Sequence, residues 1–174
     1  MRIIAGAYRS RKLKSVPGLA VRPTPDRLRE ALFNVLAPRI QGSIFLDAYA
    51  GSGAVGLEAL SRGAKRVILI EKKQGSIEVI RENVASLGIT KDAVTVVRGT
   101  ASVLLPNYPA DIAFVDPPYE LDSEYQDSLT ALANTPCELV VAQHASRLML
   151  ADDYGRLHKT RVLKQGDNSL SFYS

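Results

Sequence analysis

The stretch "DAYAGSGAVG", Asp47 to Gly56, decides the fold. Gly51, Gly53 and Gly56 satisfy the pattern G-x-G-x-x-G, between a predicted buried strand, "SIFLDA", and a predicted helix, "GAVGLEALSRG". Glycines at such a junction let a ligand approach the backbone, and the free amides of the helix N-terminus favour an anionic group. Glu71 ends the next predicted strand, where a carboxylate can accept both hydrogen bonds of a ribose diol. These features indicate an adenosine-type ligand and leave open whether it is NAD or S-adenosylmethionine.

The chain around this loop alternates between strands and helices. After "SIFLDA", apolar strands are predicted at "RVILIE", "AVTVV", "DIAFVD" and "CELVVA", with helices at 76–88 and 123–134. Continuous apolar strands alternating with helices predict a parallel sheet covered on both faces, an α/β fold. In the tail, "RLHKTRVLK" and "SLSFY" flank "GDN", which predicts a hairpin that ends the sheet in one antiparallel edge strand.

The N-terminal region is basic. Residues 1–30 carry eight basic and two acidic side chains, whereas the net charge of the whole chain is +4. This asymmetry predicts a polyanionic partner. "RIIAGAYRSRKLKS" is interpreted as an irregular strand or hairpin that is mobile without RNA. "RPTPDRLREALFNVLAP" predicts a helix that Thr24 caps, with Pro25 in the first turn and Pro38 just after its end. Its Arg27 and Arg29 are interpreted as a solvated or RNA-facing surface.

Two features separate the candidate ligands. Asp47 would repel the pyrophosphate of a nicotinamide cofactor, but it suits the ammonium of S-adenosylmethionine. "DPPY", Asp116 to Tyr119, follows the fourth strand at the carboxyl edge of the sheet, where open α/β folds bind ligands. Its prolines make the segment stiff, and it presents one carboxylate, one carbonyl and one aromatic face.

That set suits methyl transfer to an amino group conjugated to a planar ring. Such a nitrogen is a weak nucleophile because its lone pair is delocalised. Accepting its two hydrogens on the Asp116 carboxylate and the Pro117 carbonyl localises the lone pair. Tyr119 can stack on the ring and hold it in line with the methyl group. The chemistry requires no metal and no covalent intermediate.

With these motifs together, the chain resembles a known family along essentially its whole length. "DAYAGSGAVG" with "FVDPPY" is similar to class I S-adenosylmethionine-dependent amino-methyltransferases. "MRIIAGAYRSRKL", "RPTPDRLREALFNVL" and "GDNSLSFY" resemble the bacterial 16S rRNA guanine-N2 methyltransferases of the RsmD type. The resemblance implies a Rossmann-like, seven-stranded, mostly parallel sheet with one antiparallel strand. It also implies S-adenosylmethionine as donor, S-adenosylhomocysteine as product, and a guanine in 16S rRNA of the small ribosomal subunit as target.

The resemblance also implies roles for particular residues and regions. Residues 1–40 would form a short, RNA-facing extension, and residues 41–174 the methyltransferase domain. The catalytic residues would be Asp116, Pro117 and Tyr119. The donor would contact Asp47, Tyr49, Gly51, Gly53, Glu71, Thr100 and Ala101. The RNA would contact Arg9, Arg11, Lys12, Arg22, Thr24 and Arg27.

The sequence departs from the family in three places. Thr100 and Ala101 stand where an adenine-binding aspartate is common. Gln143 replaces a frequent strand-end glutamate, and Gln165 precedes the tail glycine where an aromatic is frequent. These departures weaken the exact substrate assignment more than the reaction type.

Other functions remain alternatives. A DNA adenine-N6 methyltransferase would use the same DPPY chemistry, although no separate DNA target-recognition domain is visible in the 174 residues. An NAD-dependent oxidoreductase conflicts with Asp47, and a non-catalytic RNA-binding module would leave the DPPY segment unused. We expect a cytoplasmic monomer without a metal. Cys137, the single cysteine, is interpreted as a buried thiol, and His144 and His158 as structural or exposed.

Overall fold

The computed structural model describes residues 1–17, 26–118 and 121–174, and in them an α/β fold built on one sheet. The helices are α1 (Asp26–Ile40), α2 (Ala54–Ser61), α3 (Gln74–Leu87), α4 (Ala101–Leu104) and α5 (Asp122–Ala133), with a 3₁₀ turn at Leu105–Asn107. The strands are β1 (Ile44–Asp47), β2 (Arg66–Glu71), β3 (Val94–Arg98), β4 (Ile112–Val115), β5 (Leu139–Ala145), β6 (Asp153–Tyr154), β7 (Leu157–Gln165) and β8 (Asn168–Tyr173). The predicted Rossmann-like class is confirmed.

The strand order in the sheet is β3-β2-β1-β4-β5-β8-β7-β6. Strands β1 to β5 are parallel, and β8 runs antiparallel to both β5 and β7. The predicted hairpin is therefore confirmed, but its antiparallel strand does not lie at the edge. β8 is interior because β7, joined to it by a tight turn at Gly166 (φ 61°), folds back along its outer side. The two-residue strand β6 then pairs with the start of β7.

The sheet separates two apolar layers. On one face, helices α1, α2 and α3 pack with Phe45, Phe114 and Val141. On the other face, α4 and α5 pack with Leu46, Val115 and Ala142. Burial of both faces explains why strands β1, β4 and β5 are nearly continuous apolar runs. No helix in the described part of the chain is long and apolar enough to cross a membrane.

The N-terminal segment is an irregular hairpin that is docked on the sheet-covering helices. Arg2 and Lys12 form one antiparallel bridge, and the Glu58 carboxylate of α2 accepts hydrogen bonds from the amides of Ile4 (2.8 Å) and Ala5 (3.0 Å). A Cβ on Gly6 would lie 1.8 Å from the Ser61 carbonyl oxygen, so the two backbones are in direct contact. The expectation of a mobile segment is therefore wrong for residues 1–17, because α2 supplies its hydrogen-bond partners.

Helix α1 differs from its predicted form in two ways. It continues past Pro38 to Ile40, so the predicted end before Pro38 is wrong. Ile40 is buried in the core, and its carbonyl accepts hydrogen bonds from the Ser43 amide and hydroxyl, which hold the last turn in place. The predicted cap, Thr24, and Pro25 lie outside the described residues.

Candidate active site at the carboxyl edge of the sheet

The three glycines of the loop after β1 have different structural roles. Gly53 is left-handed (φ 81°) and precedes the first residue of α2. A Cβ on Gly56 would lie 2.2 Å from Leu69 Cδ2, so this glycine lets α2 pack closely on β2. Gly51 (φ 55°) has no atom within 4 Å of its missing Cβ among the described residues, which leaves open space above its backbone. The loop therefore has room for a ligand at Gly51 rather than at Gly56.

Asp47, the last residue of β1, carries a buried carboxylate beneath this loop. The side chain is 2% exposed, and Oδ2 accepts a hydrogen bond from the Gly56 amide at 3.2 Å. Oδ1 is buried and has no hydrogen-bond partner within the described segments. Burial raises the pKa of Asp47 to about 7, and the charge of Glu71 adds to this rise, whereas the amides of Gly56 and Tyr49 oppose it. A cationic ligand group would satisfy Oδ1 and favour the ionised form.

Glu71, the last residue of β2, is held beside the same loop by two backbone amides. Its Oε2 accepts from Gly51 at 2.8 Å and its Oε1 accepts from Lys73 at 2.8 Å. Each carboxylate oxygen accepts more than one hydrogen bond, so both keep capacity for a diol. The two amides thus orient the carboxylate without using up its acceptor capacity.

Tyr49 connects the glycine loop to helix α5. Its hydroxyl lies 2.8 Å from Glu124 Oε2, to which it donates, and 2.7 Å from Ser128 Oγ. Burial raises the pKa of Tyr49 well above its usual value, so the hydroxyl stays protonated. The hydroxyl is therefore engaged with α5, and a contact between Tyr49 and a cofactor stays a prediction.

Thr100 and Ala101 lie at the same edge of the sheet, directly after β3. Arg98 is paired with Glu71 in the sheet, and the Gly99 amide donates to the Glu71 carbonyl oxygen at 3.1 Å. Thr100 precedes the first residue of α4, and Ala101 is buried as that first residue. The two residues therefore follow β3 at the edge of the sheet where Glu71 ends β2, and their contact with a cofactor stays a prediction.

The Asp-Pro-Pro segment follows β4, the neighbour of β1. Asp47 is paired with Phe114, two residues before Asp116, so both aspartates lie where adjacent parallel strands end. Asp116 is half-buried and Pro117 is buried. The Leu121 amide donates to the Pro118 carbonyl oxygen at 3.0 Å, which closes the turn before α5. Tyr119 lies outside the described residues.

The basic residues predicted to contact RNA occupy the exposed side of the N-terminal hairpin and the start of α1. Arg9, Arg11, Lys12 and Arg27 are all exposed, whereas Arg22 and Thr24 lie outside the described residues. Arg11 donates to the Ser86 carbonyl oxygen at 2.5 Å, at the end of α3. A cavity of about 290 Å³ beside Arg9 is also lined by acidic groups of α1. This face therefore combines exposed cations with one, Arg11, that the fold already holds.

Arg29 does not belong to a solvated or RNA-facing surface. It is completely buried, and its Nη2 donates to the Arg2 carbonyl oxygen (2.6 Å) and to Asp26 (3.0 Å). Burial lowers its pKa, and the negative charge of Glu58 opposes that effect. The spacing of Arg29 with Phe33, Leu36 and Ile40, all buried, was the sequence signal that the residue faces inward.

Gln143 of β5 is a second buried polar residue. Its burial was not predicted from the sequence. It is 2% exposed, and its Oε1 has no hydrogen-bond partner within the described part of the chain. Its departure from the family's common glutamate was the one sequence signal that marked this position.

The histidine and cysteine predictions are confirmed. His144 is buried, with Nε2 at 2.8 Å from Ser171 Oγ and Nδ1 at 2.9 Å from the Ala145 carbonyl oxygen. His158 is exposed beside Asp153. Cys137 is buried, and burial raises the pKa of its thiol to about 11. Residues 1–17, 26–118 and 121–174 contain no group of three His, Cys, Asp or Glu side chains that could hold a metal ion.

The chain is similar to known proteins along its whole length. The family model "Conserved hypothetical protein 95" matches residues 1–174. "Putative rRNA methyltransferase YlbH" of Bacillus subtilis is 31% identical over 185 residues, covering 99% of this chain and 98% of that protein. "Ribosomal RNA small subunit methyltransferase D" of Escherichia coli K12 is 43% identical over 119 residues, which span 68% of this chain and 60%, less than two thirds, of that protein. The solved "Putative methyltransferase yhhF from Escherichia coli" superimposes with a TM-score of 0.85 at 34% identity, covering 99% of this chain and 96% of that one.

Proposed function

The chain belongs to the RsmD-type methyltransferase family, and from that premise we propose that it methylates the exocyclic N2 amino group of a guanine in 16S rRNA. The observation that carries the proposal is that the glycine loop and the Asp-Pro-Pro segment lie at the same edge of the sheet, at the ends of neighbouring strands. Asp47 ends β1 below the glycine loop, and Asp116 follows β4, its direct neighbour. A donor and an acceptor amine bound to these two motifs would lie side by side.

The residues around the loop fit S-adenosylmethionine. When bound, this cofactor supplies the methyl group as an electrophilic carbon on a sulfonium sulfur. The unpartnered Oδ1 of Asp47 suits the cofactor's ammonium group, and the oriented Glu71 carboxylate suits the ribose diol. Gly51 leaves space for the ligand, and Thr100 with Ala101 would border the adenine. The pyrophosphate of NAD is anionic and carries no cation to pair with the buried Asp47 carboxylate. This charge repulsion disfavours NAD.

The Asp-Pro-Pro-Tyr segment would bind the target base. The Asp116 carboxylate and the Pro117 carbonyl oxygen would accept hydrogen bonds from the two N–H groups of the guanine N2 atom and make its lone pair available for attack. The methylated nitrogen then gives up one proton to water. Tyr119 would stack on the ring and orient the amine for attack on the methyl group. Because these atoms are inaccessible in a base-paired stack, the guanine must be unstacked from its RNA before it enters the site.

The names of the relatives and the surface charge support ribosomal RNA as the partner. The Escherichia coli relative is named for the small ribosomal subunit RNA. Residues 1–40 would form the RNA-facing extension through Arg9, Arg11, Lys12, Arg22, Thr24 and Arg27, and residues 41–174 the catalytic domain. We further propose that the protein acts as a cytoplasmic monomer on 16S rRNA in an assembling or assembled small subunit.

The test is methyl transfer from labelled S-adenosylmethionine to small-subunit RNA from cells that lack this protein. Free rRNA and ribosomal particles are compared as substrates, and Asp116→Ala, which removes the acceptor, is run beside the wild-type enzyme. The proposal predicts label in RNA with the wild-type enzyme and a loss of about 100-fold or more with the variant. Label in DNA instead of RNA would support the adenine-N6 alternative. Transfer that is equal in both enzymes would refute the role of Asp116.

A further inference from the structure

Gln143 lies next to the Asp-Pro-Pro segment on the neighbouring strand. Val115 of β4 is paired with Ala142 of β5, so the next position along both strands places Asp116 beside Gln143. Phe114 and Val141 belong to one apolar layer, and Val115 and Ala142 to the other. Because side chains alternate along a strand, Gln143 shares the face of Val141. This is also the face on which Asp47 meets α2 through its bond with Gly56.

The side chain of Gln143 carries an acceptor that the described protein does not satisfy. The residue is 2% exposed, and Oε1 has no hydrogen-bond partner within the described part of the chain. The backbone of β5 at Gln143 is fixed on two sides. The Tyr125 hydroxyl donates to the Gln143 carbonyl oxygen at 2.7 Å, and β8 pairs with β5 along the edge away from β4. Buried polar atoms are nearly always paired, so an unpaired one beside a binding segment points to a ligand donor.

We propose that Gln143 Oε1 accepts a hydrogen bond from the N1–H group of the target guanine and thereby selects guanine over adenine. The inference rests on the proposed function and names its specificity-determining residue. The Watson–Crick edge of guanine presents three donor hydrogens, one on N1 and two on N2. Asp116 and Pro117 would take the two on N2, which leaves N1–H for Gln143.

Adenine fails at the same position. Its N1 atom is an acceptor without a hydrogen, so an adenine whose N6 amine occupied the Asp116 site would place N1 against Oε1. Two buried acceptors facing each other repel and leave both unsatisfied. A DPPY segment by itself serves either amine, whereas Gln143 makes this site specific for a base that carries N1–H.

The experiment uses 2-aminopurine, which keeps the 2-amino group but has no hydrogen on N1. Small subunits are reconstituted with rRNA that carries either guanine or 2-aminopurine at the methylated position, ligated in as a synthetic segment. The ratio of kcat/KM for guanine to that for 2-aminopurine is measured for the wild-type enzyme and for Gln143→Met, which replaces the amide with an apolar chain of similar length. Gln165→Met is the matched control, because Oε1 of Gln165 in β7 also has no hydrogen-bond partner among the residues that the structure describes, but Gln165 lies outside the site.

The proposal predicts that the wild-type enzyme and Gln165→Met prefer guanine strongly. Gln143→Met should lower this preference about 10- to 100-fold, because guanine loses its acceptor while 2-aminopurine is freed from the repulsion between its N1 atom and Oε1. Gln143→Glu should retain most guanine activity, because a carboxylate also accepts from N1–H. An unchanged preference in Gln143→Met, with both bases slowed equally, would show a purely structural role and overturn the inference. Failure of the wild-type enzyme to methylate any guanine would overturn the proposed function itself, and the inference with it.

Discussion

The buried carboxylate of Glu58 should hold the N-terminal hairpin on the catalytic domain. The side chain is completely buried in α2, and it accepts from the Ile4 and Ala5 amides and from Arg62 Nε at 2.7 Å. Glu58→Ala leaves two partly buried amides and one mostly buried guanidinium without their acceptor. Removing one partner of a buried ion pair costs about 3–5 kcal/mol, so we expect a loss of that size in the free energy of unfolding.

The assay combines chemical denaturation with hydrogen exchange of peptides from residues 2–16. Glu58→Ala should speed exchange throughout the hairpin as well as lower overall stability, and Glu58→Gln, which keeps one acceptor oxygen, should lie between it and the wild type. Glu82→Ala serves as the control, because the Glu82–Lys14 pair is exposed and worth at most about 1 kcal/mol. A loss below about 1 kcal/mol in Glu58→Ala, or hairpin exchange equal to the wild type, would refute this reasoning.

Four further predictions concern three single side chains. Asp47→Asn should weaken S-adenosylmethionine binding about 10- to 100-fold by calorimetry, because the ammonium loses its counter-charge. The same variant should melt above the wild type at pH 8 but not at pH 4. Burial raises the pKa of Asp47 from 3.8 to about 7, so ionisation destabilises the ligand-free wild type as pH rises through that range. Cys137 should react with a thiol reagent only at the rate of unfolding, because it is buried and protonated. Arg9→Ala should weaken RNA binding and lower the slope of log affinity against log salt by about 1.

Each of these predictions has a clear contradicting outcome. An affinity of Asp47→Asn for S-adenosylmethionine equal to that of the wild type would contradict the contact between Asp47 and the ammonium group. A melting difference between that variant and the wild type that did not change with pH would contradict the raised pKa. Rapid labelling of Cys137 in the native protein would contradict its burial and show that the segment before β5 opens locally. If the salt dependence of RNA affinity is the same in Arg9→Ala and the wild type, Arg9 of the hairpin does not contact an RNA phosphate.

Local patterns predicted the elements of the fold well. The helix and strand types around "DAYAGSGAVG" follow from apolar runs, glycines and capping residues within a few positions, and the site residues at the strand ends follow from the same elements. For that reason the positions of Asp47, Glu71 and Asp116 at one edge of the sheet could be predicted from the sequence.

Features that depend on distant partners were not predictable in this way. The interior position of β8 depends on how β7 folds back, since a hairpin pattern is the same at the edge and inside a sheet. The docking of residues 1–17 depends on Glu58, more than fifty positions away, whose own neighbours give no sign of it. Arg29 was misplaced because a charged residue is rarely buried, even where the helical spacing points inward.

The most direct test of the central claim is the modified-nucleoside content of 16S rRNA in living cells. Small-subunit RNA is purified from a strain lacking the protein, from the same strain supplied with the wild-type gene, and from one supplied with Asp116→Ala. Its nucleosides are quantified by mass. If the protein methylates a guanine N2 atom through Asp116, the wild-type gene restores one N2-methylguanosine per rRNA and the variant does not. Identical N2-methylguanosine content in all three strains would contradict it.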